Sequence, residues 1–269
     1  MELLYYLLLG VYGVAMGSFI CCQVRRKVFA EGNRGDSEED GRKNTRKEKV
    51  RLGKRSVCMS CGYQLRWYDN IPILSWLMLR GKCRKCGKKI GVAEILAEIG
   101  GGVAFFAVGM IFSRGVMAGE IVEIVRFIVG LGFAGVLLYL AIFDGITGEM
   151  PIKALTILNA CAIMEVILRE RSLILSSVVA GVVFGGVYYL LYKLSREKFV
   201  GGGDWIVALA IGLFVGDLYQ AIWVLFLSNF FAAVIGLTTK QKRLRLVPYF
   251  FVGWILTTIL AGGFGLLAI

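Results

Sequence analysis

Two sets of residues in this sequence have the types and spacing to do chemistry. Four cysteines stand as Cys58-x-x-Cys61 and Cys83-x-x-Cys86, each pair followed by a glycine, Gly62 and Gly87. A C-x-x-C knuckle offers two sulfurs on one tight turn, and a loop that folds one knuckle onto the other surrounds a tetrahedral ion with four thiolates. A shell of four thiolates has no open coordination position, so zinc held there would be structural. The second set consists of carboxylates beside apolar runs. Asp144 lies in Ala141-Ile142-Phe143-Asp144-Gly145, and Asp204 follows Gly201, Gly202 and Gly203. An aspartate at a membrane helix start is costly unless something uses it, although an Asp after a glycine turn is also an ordinary helix N-cap. The glycines let the backbone turn tightly and approach another chain closely.

Histidine is absent from all 269 residues. That excludes Ser-His and Cys-His catalysis and the H-E-x-x-H zinc motif, each of which needs an imidazole. Hydrophobic residues make up 57% of the chain, above the roughly 45–50% of a soluble domain, and this predicts a polytopic membrane protein. Residues 25–90 carry 19 Lys and Arg against 7 acids, so this one segment accounts for the net charge of +12. Beside membrane spans, such a segment predicts cytoplasmic retention and attraction to anionic lipid headgroups; no nucleic acid is expected as a partner.

These residues need elements to hold them. The expected fold is all-α, with about eight transmembrane helices and a small cytoplasmic insertion after the first, a zinc-ribbon-like segment built on the four cysteines. Residues 1–24 form the first span. The basic segment 25–90 follows, with a flexible linker over 31–55 and the cysteine knuckles over 58–86. A membrane domain over 91–269 has apolar runs at about 92–112, 121–143, 152–168, 173–192, 204–216, 218–237 and 247–268, most near the roughly 20 residues that cross a bilayer. Because bases follow the first span, the positive-inside rule puts the N-terminus outside and residues 25–90 in the cytoplasm. Lys193, Arg196 and Lys198, and likewise Lys240, Lys242, Arg243 and Arg245, then fall on the cytoplasmic side; Arg169 and Arg171 fall outside, against the rule.

The same counting delivers Asp144 and Asp204 to one membrane face. If they meet, repulsion and partial desolvation raise the pKa of one, and the pair holds a single proton. The ionised member can then activate water while the protonated one polarises a scissile carbonyl. Glu94 and Glu98 share a helix face and are expected to pair with Lys and Arg of the basic segment, a cytoplasmic binding site being the other reading. Asp217 reads as a turn residue, and Cys21, Cys22 and Cys161 as packing thiols.

The chain resembles the type IV prepilin leader peptidases, membrane aspartyl proteases of the G-x-G-D type. The resemblance rests on Gly17-Ser18-Phe19 with Arg26, both C-x-x-C pairs, and the run from Leu65 to Leu77 that contains Trp67, Asp69, Asn70 and Pro72. It continues through Glu94-Ile95-Leu96, Asp144 with Pro151, Gly201-Gly202-Gly203-Asp204, and Val247-Pro248. It implies that Asp144 and Asp204 are the catalytic pair of an aspartic endopeptidase in a bacterial inner membrane. That enzyme cuts the basic leader from type IV prepilins or pseudopilins. It also implies N-methylation of the new N-terminus with S-adenosylmethionine, an activity associated with the N-terminal cytoplasmic region; Glu94, Arg26 and Asp69 are candidates there. Cys21, where the family usually has Asn, Ile152, where it has Asp or Asn, and Ile206, where it often has Lys, depart from the pattern. Two other readings of the residues remain open: a G-x-G-D protease for other substrates without methyl transfer, and a non-catalytic membrane scaffold built on the zinc ribbon.

Overall fold

The computed structural model describes residues 2–38, 56–58, 60–195, 200–239 and 245–263. Those residues are helical apart from a compact cysteine-bearing segment, with only two isolated β-bridges, Val57 to Gln64 and Lys82 to Lys89. The helices are α1 (Glu2–Glu38), α2 (Leu74–Met78), α3 (Val92–Ala118), α4 (Ile121–Thr147), α5 (Ile152–Leu168), α6 (Arg171–Ser195), α7 (Asp204–Val215), α8 (Leu218–Thr239) and α9 (Val247–Gly263); a 3-10 turn occupies Trp67–Asn70. All but α2 coincide with the eight apolar runs. Five of them, α1, α3, α4, α6 and α8, are long and apolar enough to cross a membrane, while the apolar α7 and α9 are shorter.

One expectation is corrected. Hydropathy predicts a linker over 31–55, starting soon after the first apolar run, but α1 continues to Glu38. Hydropathy marks where a helix leaves the bilayer, not where it ends. Extending an existing helix adds one hydrogen bond per residue fixed, and nothing between Arg25 and Glu38 is a proline that would stop it. The rest of that linker, 39–55, and the basic positions Arg196, Lys198, Lys240, Lys242 and Arg243 lie outside the described residues.

Two helix pairs are held by backbone contact. In a membrane, where lipid tails are as apolar as leucine, small residues that let helices approach closely substitute for the hydrophobic effect. A Cβ at Gly17 of α1 would stand 2.9 Å from the carbonyl carbon of Ala97 and 3.0 Å from the Cα of Glu98, both on α3. A Cβ at Gly212 of α7 would stand 2.6 Å from the carbonyl oxygen of Ala180 on α6. Aromatic rings fill the centre: Phe133 of α4 stacks on Phe214 of α7 at 4.1 Å, and Trp254 of α9 meets both rings edge-on.

At 12 residues, α7 is only about 18 Å long. It therefore ends inside the apolar bundle, where its last carbonyls need donors. Arg169 supplies them, donating to the carbonyls of Phe214 at 2.9 Å and Val215 at 3.3 Å. Ser176 donates to the carbonyl of Gly216 at 3.0 Å. Arg169 is neutralised by Glu165, which also accepts from Arg126 at 2.6 Å, and Arg126 reaches Glu123 at 2.5 Å. Arg169 is thus a half-buried capping group rather than a free loop charge. Asp217 caps α8 by accepting the Gln220 N–H at 2.9 Å.

Candidate functional site

Asp144 and Asp204 are both buried, each 3% exposed. Asp144 lies in the last turn of α4, which closes at Gly148 in the left-handed region (φ 73°), with the Gly148 N–H on the Asp144 carbonyl at 2.8 Å. Asp204 is the first residue of α7, and its Oδ2 accepts the Gly201 N–H at 2.6 Å. The segments that carry the two carboxylates touch. Met150, in the connection after Asp144, packs so closely on Gly203 that a Cβ there would stand 2.5 Å from the Met150 sulfur. None of Gly201, Gly202 and Gly203 takes a positive φ; at Gly203 the missing side chain serves close approach. The start of α9 completes the surroundings. The Val247 N–H points at Asp144 Oδ2 at 3.4 Å, and Arg245 donates to the Gly145 carbonyl. Tyr188 of α6 packs edge-on against Phe250 of α9 at 4.8 Å. Asp144 thus lies against the start of α9, and the contact of Met150 with Gly203 brings the segment of Asp204 up to that of Asp144.

At the same end of the bundle the cysteine segment folds as two matching knuckles. The Cys58 N–H bonds the Tyr63 carbonyl at 2.8 Å and the Gly62 N–H bonds the Cys58 carbonyl at 2.9 Å; Cys83 with Lys88, and Gly87 with Cys83, repeat both bonds at the same lengths. Gly62 and Gly87 both sit at φ 68°, a left-handed conformation that favours glycine. The sulfurs of Cys58, Cys61, Cys83 and Cys86 all lie within 4.8 Å of one another. Tetrahedral Zn–S bonds of about 2.3 Å place sulfurs about 3.8 Å apart, so the cluster fits that ion with a small contraction. Burial raises the Cys83 thiol, but backbone N–H groups of Cys86 and Lys85 and the neighbouring thiols outweigh it and bring it down to about 7. The Tyr63 backbone favours the Cys61 thiolate, yet desolvation and the adjacent sulfurs push that thiol up to about 11. Sulfurs this close resist ionising together unless a cation joins them.

Between this segment, α1 and α3 lies a cavity of about 530 Å³ whose wall includes Ser18, Arg25, Arg26, Trp76, Glu94 and Glu98. Arg25 pairs with Glu94 Oε1 at 2.9 Å; the other oxygen, Oε2, is buried without a hydrogen-bond partner among the described residues. Glu98 accepts from the Ser18 hydroxyl and from the Ile73 N–H, both at 2.7 Å. The expected pairing with a basic residue thus holds for Glu94 and fails for Glu98, because the backbone of Ile73 reaches it first. Ile73 is held at φ 61°, an outlier for a β-branched residue. Asp69 is engaged by Arg84, at 2.9 Å from Nε and 2.8 Å from Nη2, and by the Arg66 N–H at 3.2 Å, which ties the 3-10 turn to the second knuckle. Sequence reasoning did not single out Arg25 or Ser18 as partners; their signal is position, four residues after Cys21 and one after the close-packed Gly17. Arg26 lines the cavity, and Lys27 beside it sets its ammonium over the Phe143 ring at 4.9 Å, next to Asp144.

The Bacterial Peptidase A24 N-terminal domain matches residues 11–112, which contain most of α1, the knuckles and most of α3. A prepilin leader peptidase/N-methyltransferase of Neisseria gonorrhoeae is 30% identical over 211 residues, covering 76% of this chain and 70% of the relative. The chain belongs to the prepilin leader peptidase/N-methyltransferase family. A family member from Vibrio cholerae is 26% identical over 223 residues, 80% of this chain and 79% of its own length. One from Myxococcus xanthus is 29% identical over 183 residues, 68% of this chain but 53% of the relative, so the match spans about half of that family member. No solved structure matches.

Proposed function

We propose that this membrane protein is a prepilin peptidase of aspartyl type, with Asp144 and Asp204 as its catalytic pair, and that it N-methylates the shortened substrate in the cavity beside them. The observation that carries the reading is the burial of two carboxylates, on α4 and α7, in segments that touch where Met150 packs on Gly203. In such surroundings two nearby carboxylates share one proton. The ionised member takes a proton from water, the protonated member donates to the scissile carbonyl oxygen, and the leaving amine collects a proton as the tetrahedral carbon collapses. The substrate is a prepilin or pseudopilin whose basic leader stays in the cytoplasm, which places the scissile bond at the membrane boundary where both aspartates lie. Gly203 keeps the approach between α7 and Met150 narrow.

The new N-terminal amine then has a short path past Lys27 and Arg26 to the cavity. There the unpartnered Glu94 Oε2 can accept a hydrogen bond from the amine, while the Arg25 pair fixes the orientation of that carboxylate. S-adenosylmethionine, when bound, supplies the methyl group. Zinc in the four-cysteine cluster would be structural, holding the wall that carries Asp69 and Arg84. Residues 1–24 are then the first membrane span, 25–90 the basic cytoplasmic segment with the four cysteines, and 91–269 the protease domain, whose α3 lends Glu94 to the methyl-transfer cavity, in an inner membrane with the N-terminus outside.

The test is mass spectrometry of a candidate prepilin after incubation with the purified protein and S-adenosylmethionine, which reads leader removal and N-methylation separately. Asp144→Asn and Asp204→Asn should each reduce cleavage by at least about 100-fold. Glu94→Gln should spare cleavage and depress methylation. Normal cleavage by either Asp→Asn variant would sink the peptidase reading.

A further inference from the structure

At the end of the bundle opposite Asp144 and Asp204, a second cavity of about 740 Å³ opens among α3 to α9, within the range of small-ligand sites. Nothing in the proposed chemistry uses it. Its wall holds three acids, Glu123, Glu165 and Asp217, against two arginines, Arg126 and Arg169. Most of that charge is spent internally: Arg126 bridges Glu123 and Glu165, Arg169 divides itself between Glu165 and the end of α7, and Asp217 caps α8.

What is left over is specific. Among the described residues, Glu165 Oε2, Arg169 Nε, Trp254 Nε1 and Thr257 Oγ1 are buried in this wall without a hydrogen-bond partner. Glu165, Trp254 and Thr257 are 1%, 0% and 5% exposed. Each unmade bond at a buried polar atom is costly, more so for a charged group, and four in one cavity wall call for a complementary ligand. Glu165 needs a cationic donor, in keeping with the excess of one acid. Arg169 Nε–H, Trp254 N–H and Thr257 O–H need an oxygen acceptor. The rim adds a third observation: Tyr219, Trp223 and Leu260 line the cavity yet are largely exposed on the flank of the bundle. Tyr and Trp there suit headgroup depth, so the cavity opens towards the bilayer.

We propose that this cavity binds a headgroup-sized zwitterion with its ammonium on Glu165 and its anionic oxygens on Trp254 and Thr257, the chemistry of phosphoethanolamine. The source is either an ethanolamine phospholipid entering past Tyr219 and Trp223 or the soluble zwitterion. A quaternary ammonium has no N–H to give Glu165, and a glycerol headgroup brings no cation, so choline and glycerol phospholipids should be poor substitutes.

The test uses the delipidated full chain in detergent, titrated under native mass spectrometry with phosphatidylethanolamine, phosphatidylcholine and phosphatidylglycerol of matched acyl chains, and separately with soluble phosphoethanolamine. The ethanolamine lipid should bind at least about fivefold more tightly than the other two. Thr257→Val and Trp254→Phe should each weaken it about three- to tenfold, the worth of one hydrogen bond. Glu165→Gln also disturbs Arg126 and Arg169, so the isosteric Thr257→Val carries the decision. Binding of the lipid alone identifies the membrane as the source, and comparable binding of phosphoethanolamine identifies the soluble zwitterion. Equal binding of all three lipids, a preference untouched by Thr257→Val and Trp254→Phe, or a cavity that takes only water would overturn the proposal.

Discussion

Replacing Gly17 by alanine adds one methyl group to a helix, where alanine is intrinsically better than glycine by about 1 kcal/mol. On α1 that gain should be reversed. The new Cβ would lie 2.9 Å from the Ala97 carbonyl carbon and 3.0 Å from the Glu98 Cα, where carbon atoms rest at about 3.5–4.0 Å. The deficit is roughly 0.6–1 Å, and the obstruction is α3 backbone, which cannot rotate aside. Retreat of α1 by that distance would stretch the 2.7 Å bond from Ser18 to Glu98 beyond bonding range. Overpacking costs about 1–3 kcal/mol and a hydrogen bond to a charged group about 1.5–3 kcal/mol, so the net loss at the α1–α3 seam is about 2 kcal/mol or more. A Cβ at Gly10, on the same helix, would meet nothing within 4 Å, so Gly10→Ala is the internal control and should be neutral or slightly stabilising. Thermal unfolding in detergent and the two-channel mass assay measure the outcome. Gly17→Ala should lower the midpoint and depress methylation more than cleavage. Equal midpoints and equal methylation for the two variants would refute the close packing and its link to the cavity.

Other outcomes follow from single contacts. Arg169→Met strands the Phe214 and Val215 carbonyls and leaves Glu165 without one of its two partners, which should cost about 3–5 kcal/mol and lower cleavage through α7; an unchanged unfolding midpoint would count against it. Ile73→Gly relieves a φ of 61° and should stabilise the protein by about 1 kcal/mol, a gain that chemical denaturation can measure. Metal analysis of the purified chain should find close to one zinc per chain, and strong chelation should raise amide exchange over residues 56–90 while α4 to α9 stay protected. Uniform exchange before and after chelation would argue that the four sulfurs hold no structural ion.

Much of the membrane region was legible without coordinates, because apolar runs near the length of a bilayer crossing leave the chain little choice but helix. Eight such runs became α1 and α3 to α9. The cysteine knuckles were legible for a similarly local reason: C-x-x-C followed by glycine specifies its own turn, and both turns formed with matching bonds. Partners were less legible. Hydropathy could not see α1 continuing past the bilayer to Glu38. Charge counting pairs Glu98 with a base, whereas Ser18 and the backbone of Ile73 take it, and it puts Arg169 in an outer turn without seeing the α7 carbonyls it caps.

By itself, then, the sequence determined the periodic and local features: the spans, the metal-fitting turns, and the placement of Asp144 and Asp204 at helix ends facing the same way. Only the tertiary structure decided which groups meet. Gly203 against Met150, Glu94 against Arg25, and the orphaned Glu165, Trp254 and Thr257 are contacts or unmade bonds between residues far apart in the chain. They depend on how closely glycine seams let helices approach and on which buried polar group finds a donor first, and neither is written in any one stretch of residues.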